Sequence, residues 1–242
     1  MSSIRLQALI KKAKSQARPS QGQVLQRFFK TGPGEYGEGD RFLGIMVPEA
    51  RRLAKEFSDL DQEDLTRLIQ NPYHELRLIA LFILTAHYQR AKTETSCRKV
   101  IDFYLKQTKY INNWDLVDLS VYKILGDYLL GNPKEKKLLN KLARSKDLWE
   151  RRMAMITTFA YLRAGSAKET LEIATILLKD KHDLIQKAVG WMLREMGKRV
   201  SAVSLKAFLD QHHKTMPRTA LRYAIERLKP AEREYYLYGG RK

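Results

Sequence analysis

Trp114 and Asp118, in the segment Asn113-Trp-Asp-Leu-Val-Asp118, have the types and the spacing that chemistry needs. Residues four apart share one face of a helix, so this pair would place an indole plane beside a carboxylate. The same letters also suit a helix start, with Asp115 as the cap and Asp118 completing a variant capping box three residues later. Spacing alone favours this second, purely structural interpretation.

The other two tryptophans, Trp149 and Trp191, lie in segments that contain basic residues. Trp149 precedes Arg151 and Arg152, and the stretch 134–152 holds eight Lys and Arg against three Asp and Glu. Such a patch suits phosphate contact, because the guanidinium donates in a fixed fork, but it also suits a solvated helix start. Trp191 follows Gly190, which would let a neighbouring helix pack closely, and a tryptophan in this setting also fits a core position.

Composition narrows the classes of function. The 242 residues carry 45 Lys and Arg against 27 Asp and Glu, a formal charge of +18, which predicts a polyanionic partner, above all nucleic acid. One cysteine excludes an internal disulfide and a cysteine-built metal cluster. The histidines are isolated or adjacent, so we expect no metal, and there is no glycine-rich nucleotide loop. No apolar run reaches the roughly 20 residues of a membrane span.

Apolar residues recur at spacings of three and four along most of the chain, which predicts an all-α fold. Polar turns that lead into helices repeat at offsets of 35 or 36, as at Asp147 and Asp183. Two helices per such period are typical of a HEAT-like solenoid, an α-α superhelix with a concave face; a compact helical bundle is the alternative. We predict one domain over 1–242, divided into an N-terminal helical segment (1–30), a glycine-rich loop (31–41), helical repeats (42–230) and a C-terminal tail (231–242).

Taken together, these segments resemble the AlkD-type DNA alkylation repair glycosylases. The resemblance covers roughly residues 1–230, in order, and its tryptophan and aspartate strings are fairly specific. The strings are Phe42-Leu-Gly-Ile-Met-Val-Pro-Glu-Ala-Arg-Arg52, Trp114-Asp-Leu-Val-Asp118, Trp149-Glu-Arg-Arg152, Gln186-Lys-Ala-Val-Gly-Trp-Met-Leu-Arg-Glu195 and Met216-Pro-Arg-Thr-Ala-Leu-Arg-Tyr-Ala-Ile-Glu226.

The resemblance implies a concave face that holds duplex DNA and excision of N3- and N7-alkylated purines without a metal or other cofactor. It implies that Trp114 and Trp191 are cleft tryptophans, that Asp118 is the catalytic aspartate, and that Arg152 meets the DNA backbone near the lesion. Other basic residues of the same strings are expected to bind DNA as well: Arg51, Arg151, Lys187, Arg194 and Arg218.

We therefore expect a monomeric, intracellular (cytoplasmic) enzyme of base excision repair, acting on alkylated double-stranded DNA and without a membrane partner. A repair enzyme for other lesions, such as bulky or crosslink-derived cationic adducts, remains open from the residues alone, and so do two functions without catalysis. One is a non-catalytic module that grips nucleic acid, and the other is a scaffold for an acidic protein. The two differ from the enzyme in one testable respect, since neither needs an aromatic residue and a carboxylate together.

Overall fold

The computed structural model describes residues 3–239, and helices account for nearly all of their regular structure, so the predicted all-α class is confirmed. An isolated bridge pairs Arg41 with Tyr73. The helices are α1 (Ile4–Ser15), α2 (Pro19–Phe28), α3 (Val47–Glu56), α4 (Gln62–Ile69), α5 (His74–Arg90), α6 (Glu94–Lys106), α7 (Trp114–Val121), α8 (Asp127–Gly131), α9 (Lys137–Ala143), α10 (Leu148–Arg163), α11 (Lys168–Leu177), α12 (Asp183–Arg199), α13 (Ala202–His212), α14 (Arg218–Ala224) and α15 (Pro230–Tyr238). Two short 3-10 turns (Thr108–Tyr110 and Pro133–Glu135) and a π-helical turn (Tyr122–Gly126) join them.

The chain divides after Leu116 into two compact units. In the first unit, α5 is the central helix, and α3, α4 and α6 pack on it. Its apolar side chains point in all directions, as expected of a helix that neighbours cover on every side, and Leu76, Ile79 and Ile83 are fully buried. The first turn of α5 is also buried although it carries His74, Glu75 and Arg77.

The glycine-rich segment 31–41 is a loop of successive turns, and two helices precede it. Gly34 and Gly39 have φ angles of 76° and 85°, a conformation that favours glycine. At Gly37, a Cβ atom would lie 2.5 Å from the carbonyl oxygen of Phe29, so a larger residue would collide with the backbone. The residues after the loop are held by Glu75, whose carboxylate accepts from the backbone N–H groups of residues 43, 44 and 45.

The second unit is built from two layers of helices. Helices α10, α12 and α14 pack side by side in sequence, while α9 covers α10, α11 covers α10 and α12, and α13 covers α12. Helices α7, α10, α12 and α14 begin at residues 114, 148, 183 and 218, so the starts repeat every 34 or 35 residues, close to the predicted period. Helix α15, which begins at Pro230, runs through most of the segment predicted only as a C-terminal tail.

Polar caps fix where the long helices of this unit begin, because they satisfy N–H groups that the helix itself leaves unpaired. Asp147 accepts from the N–H groups of Trp149 and Glu150 at 2.8 and 3.0 Å. The His182 ring caps α12 by accepting from the N–H of Leu184. The start of α10 thereby places Arg152 just over one turn inside that helix.

Gly190 allows α12 and α14 to pack closely, as the sequence predicted. A Cβ atom at this position would lie 2.3 Å from the carbonyl oxygen of Ala220 and 2.5 Å from the Cβ of Tyr223. No side chain larger than hydrogen fits at that distance without moving one helix. The position therefore fixes the spacing of the helix that carries Trp191.

Candidate active site

Asp118 and Arg152 form a bidentate ion pair that joins α7 to α10. The Nε of Arg152 donates to Oδ1 of Asp118 at 2.9 Å, and Nη2 donates to Oδ2 at 2.7 Å. The side chains are 6% exposed for Arg152 and 11% for Asp118, so the pair lies near the surface but is largely shielded from water. Both carboxylate oxygens of Asp118 accept from this guanidinium.

Arg152 also reaches a third helix, because its Nη1 donates to the backbone carbonyl of Leu184 near the start of α12 at 2.5 Å. One guanidinium therefore links α7, α10 and α12. A planar fork with several N–H groups is suited to this, whereas a lysine could reach only a single point. The direction of the Asp118 carboxylate is consequently fixed by the packing of the helices.

Arg151, the neighbour of Arg152, makes a different ion pair. Its Nε donates to Asp180 at 2.7 Å, and its Nη1 donates to the carbonyls of Ser145 and Lys146. The side chain of Asp180 is 10% exposed, much like that of Asp118. The two adjacent arginines thus hold two aspartates of similar burial, of which only Asp118 lies in a string that marks the family resemblance.

Trp114 opens α7 one helical turn before Asp118 and packs against an aromatic cluster of the first unit. The Phe29 ring lies nearly parallel to the indole, with ring centroids 5.1 Å apart and planes 15° apart. Phe28 meets the indole edge-on at 6.0 Å and is itself 62% exposed. Trp114 is half-buried, so part of its indole is left accessible to a ligand.

His74 lies beneath this cluster, between two carboxylates. Its Nδ1 is 3.0 Å from Oδ2 of Asp40 and its Nε2 is 2.8 Å from Oδ2 of Asp115, and the side chain is 2% exposed. Burial acts to lower the pKa of His74, but the charges and hydrogen bonds of Asp115 and Asp40 outweigh it and raise that pKa to about 9. The imidazole is therefore protonated at neutral pH.

Asp40 completes the cluster. Arg77 and Asn113 donate to its carboxylate in addition to His74. Burial raises the pKa of Asp40, yet the hydrogen bond from His74 and the charge of Arg77 hold the pKa of this carboxyl below its ordinary value. Sequence reasoning missed this cluster, because it treated His74 as an isolated histidine; the signal available was the run of charged residues that opens α5.

The predicted residues of α12 lie along one helix. Trp191 is half-buried and follows the tightly packed Gly190. Lys187, one turn earlier, pairs with Asp183 at 2.7 Å, and Arg194 pairs with Glu226. These two basic residues have protein partners in the structure, and their contacts with DNA remain predictions.

Two predicted DNA-binding arginines lie elsewhere in the chain. The Arg51 guanidinium stands over the ring of Phe82, 4.2 Å from its centroid. Arg218 donates to the carbonyl of Leu237 at 2.7 Å and faces the ring of Tyr238. The structure thus brings Asp118 and Arg152 into direct contact, whereas it gives Arg51 and Arg218 separate partners of their own.

Between residues 3 and 239, no group of three or more His, Cys, Asp and Glu side chains is arranged to hold a metal ion. Within the same range, no helix is both long and apolar enough to cross a membrane. The Asp40–His74–Asp115 arrangement is a hydrogen-bonded cluster, since both ring nitrogens already face carboxylate oxygens.

Comparisons with known proteins give a consistent result. A solved structure described as a predicted DNA alkylation repair enzyme from Enterococcus faecalis shares this fold, with a TM-score of 0.69, 19% sequence identity, and coverage of 89% of this chain and 98% of that one. Among curated proteins, none is significantly similar in sequence to this chain. The family model described as DNA alkylation repair enzyme matches residues 9–228. This chain therefore belongs to the family of DNA alkylation repair enzymes.

Proposed function

We propose that this protein is a DNA glycosylase that hydrolyses the N-glycosidic bond of N3- and N7-alkylated purines in duplex DNA, with Asp118 as its catalytic carboxylate. The observation that carries the proposal is the fixed orientation and partial accessibility of the Asp118 carboxylate. Its two oxygens are held by Arg152 at 2.9 and 2.7 Å, and its side chain keeps 11% exposure. A carboxylate that is oriented, ion-paired and still accessible is suited to act on a cationic centre.

The chemistry of the lesion explains why one carboxylate can suffice. Alkylation at N3 or N7 gives the purine a positive charge, so the base leaves as a neutral molecule and needs little help from a general acid. The deoxyribose, in contrast, becomes oxocarbenium-like as the bond breaks. An anionic oxygen beside C1′ stabilises that developing charge and can position the attacking water, as in glycoside hydrolysis generally.

Arg152 serves the reaction in this proposal by holding Asp118 in place. A group that acts in the transition state must already point in the right direction, because reorientation during the reaction costs free energy. The bidentate geometry fixes both oxygens, and the bond to the Leu184 carbonyl fixes the guanidinium in turn. The predicted contact between Arg152 and a DNA phosphate would compete with these bonds.

Trp114 and Trp191 would recognise the cationic nucleotide. A cation over an indole face is stabilised by roughly 0.5–2 kcal/mol, and by more where water is excluded. Both indoles are half-buried, which leaves part of each ring accessible. The exposed ring of Phe28, edge-on to Trp114, adds aromatic surface beside that indole. The charge of +18 would supply the attraction to the DNA backbone.

The direct test is to incubate the protein with duplex DNA methylated by a simple alkylating agent and to analyse the small molecules released. The proposal predicts free 7-methylguanine and 3-methyladenine, together with DNA that contains intact abasic sites. Strand cleavage at those sites by freshly purified protein would instead indicate lyase chemistry. Tight duplex binding without release of any base would support the non-catalytic binding module.

A further inference from the structure

The buried cluster of charged residues around His74 takes no direct part in the proposed reaction. It lies wholly within the first unit and next to Trp114. Four charged groups meet there: His74, Asp40, Asp115 and Arg77, and the carboxylate of Glu75 lies beside them on α5. Burying charged groups costs free energy unless each is paired. A buried cluster of this size therefore indicates a structural or functional role.

We propose that His74 is a positioning residue for Trp114: by bridging Asp40 and Asp115, its ring fixes the first turn of α7 and the angle of the indole that receives the damaged nucleotide. The statement that this indole receives the damaged nucleotide rests on the proposed function. The positioning itself rests only on the contacts described below.

The first contact path runs through the backbone at the start of α7. Asn113 accepts from the N–H of Trp114 at 2.8 Å and donates its amide to Asp40 at 3.2 Å. On the other side of Trp114, Asp115 accepts from the N–H of Leu116 and from the His74 ring, both at 2.8 Å. The residues before and after Trp114 are therefore tied to the same histidine, directly or through Asp40.

The second path runs through the aromatic rings. Phe29 stacks on Trp114 and also lies 4.9 Å from the His74 ring, measured between centroids. Phe42 stacks on His74 at 4.6 Å and on Phe29 at 5.0 Å. One face of the indole is thus covered by a ring that itself rests against the histidine, so a change at His74 would be transmitted to the indole by packing as well as by hydrogen bonds.

The same cluster anchors the glycine-rich loop, because Asp40 is the second-last residue of that loop. Gly37, inside the loop, lies so close to Asn113 that a Cβ there would be 3.3 Å from its amide nitrogen. The loop and the start of α7 are consequently held by one set of bonds. Both ring nitrogens of His74 face carboxylates, and an imidazole that donates from both nitrogens is the doubly protonated, cationic form.

The test uses protein labelled with 5-fluorotryptophan, observed by fluorine NMR, beside single-turnover excision and duplex affinity. The Trp114→Phe variant assigns the Trp114 signal, and Trp149, which lies in the second unit, is the internal reference. The variant is His74→Gln. The matched control is His87→Gln, the same substitution on the same helix, where the ring contacts the Ser58 carbonyl instead.

We expect His74→Gln to shift the Trp114 signal, to leave the Trp149 signal in place, and to slow excision roughly 3- to 30-fold at unchanged duplex affinity, the range that loss of an indole–cation contact would give. In the wild type, the Trp114 signal should shift as the pH is raised, with a midpoint at the His74 pKa of about 9. This pH-dependent shift should be absent from His74→Gln. His87→Gln should behave as the wild type.

An unshifted Trp114 signal in folded His74→Gln would overturn the proposal, whatever happens to the rate. If His74→Gln does not fold, Asp115→Asn and the wild-type titration decide in its place, and a Trp114 signal that responds to neither would overturn it equally. Absence of excision by the wild type would sink the proposed function alone, since the fluorine signals report on positioning without any substrate.

Discussion

The guanidinium of Arg152 holds both carboxylate oxygens of Asp118, a residue 34 positions earlier in the chain, by hydrogen bonds of 2.9 and 2.7 Å. That separation is one repeat of the helix starts, so the contact joins equivalent turns of successive repeats. The ion pair therefore depends on the repeat architecture. It also sets what substitutions at either residue should do.

Arg152→Lys should slow excision without changing the salt dependence of DNA binding. Lysine keeps the charge but cannot donate to both oxygens of Asp118 and to the Leu184 carbonyl, so the carboxylate loses its fixed direction. We expect the single-turnover rate to fall roughly 10- to 100-fold, the cost of a misplaced catalytic group. An excision rate equal to that of the wild type would contradict this role of Arg152.

Lys187→Ala should flatten that salt dependence. The pairing of Lys187 with Asp183 is an exposed contact within one helix, which contributes little to stability and leaves the ammonium able to meet a phosphate. Losing one phosphate contact lowers the slope by about 0.9. The matched control is Lys168→Ala, where the lysine also faces an acidic residue four positions away on its own helix, Glu172 of α11. Equal slopes for both variants would remove Lys187 from the DNA-binding surface.

The cluster around His74 should make stability depend on pH in the alkaline range. The pKa of His74 is raised from 6.5 to about 9 on folding, so its contribution is fully present below pH 6.5 and is lost as the pH rises through about 9. The pH-dependent part amounts to about 3 kcal/mol at 1.36 kcal/mol per pKa unit. Urea unfolding of the wild type and of His74→Gln, from pH 6 to pH 10, measures it. A stability difference that stays constant over that range would contradict the prediction.

In the acidic pH range, the same cluster makes stability depend on pH in the opposite direction. The pKa of Asp40 is lowered on folding, so its contribution is present above its ordinary pKa of 3.8 and is lost as the pH falls through the folded value. The cluster therefore stabilises the first unit most between these limits.

Gly190→Ala should destabilise the second unit by about 1–3 kcal/mol, the usual cost of overpacking a core. The added methyl group would meet the Ala220 carbonyl and the Tyr223 side chain. Gly131→Ala is the matched control, because a Cβ at Gly131 meets nothing within 4 Å. Denaturant unfolding of the two variants compares them, and equal stabilities would mean that the α12–α14 spacing is not set by this glycine.

The elements that sequence patterns predicted are those with local causes. Helical periodicity indicated the all-α class, and the polar turn at Asp147 indicated the start of α10 because a cap acts within three residues. Gly190 was identified as a site of close helix packing because glycine destabilises a helix interior relative to alanine, and close packing would explain its presence there. These inferences required no knowledge of which helices are neighbours.

The contacts that sequence patterns did not predict are the long-range ones. His74 meets carboxylates 34 and 41 residues away, on a loop and on another helix, so the charged residues beside it in the chain do not reveal its partners. The partnership of Asp118 with Arg152 was likewise hidden, although each was singled out separately. The π-helical turn after α7 has no sequence signal that we recognise. Tertiary packing, rather than local propensity, decides the contacts of His74 and of Asp118.

The central claim is that the Asp118 carboxylate carries the reaction, and the most direct measurement is the single-turnover rate of 7-methylguanine release by Asp118→Asn beside Asp180→Asn. Both substitutions neutralise a largely buried aspartate paired with an arginine of α10. We predict that Asp118→Asn binds methylated duplex DNA but loses most excision, while Asp180→Asn keeps the wild-type rate. Full excision by Asp118→Asn, or an equal loss in both variants, would contradict the account.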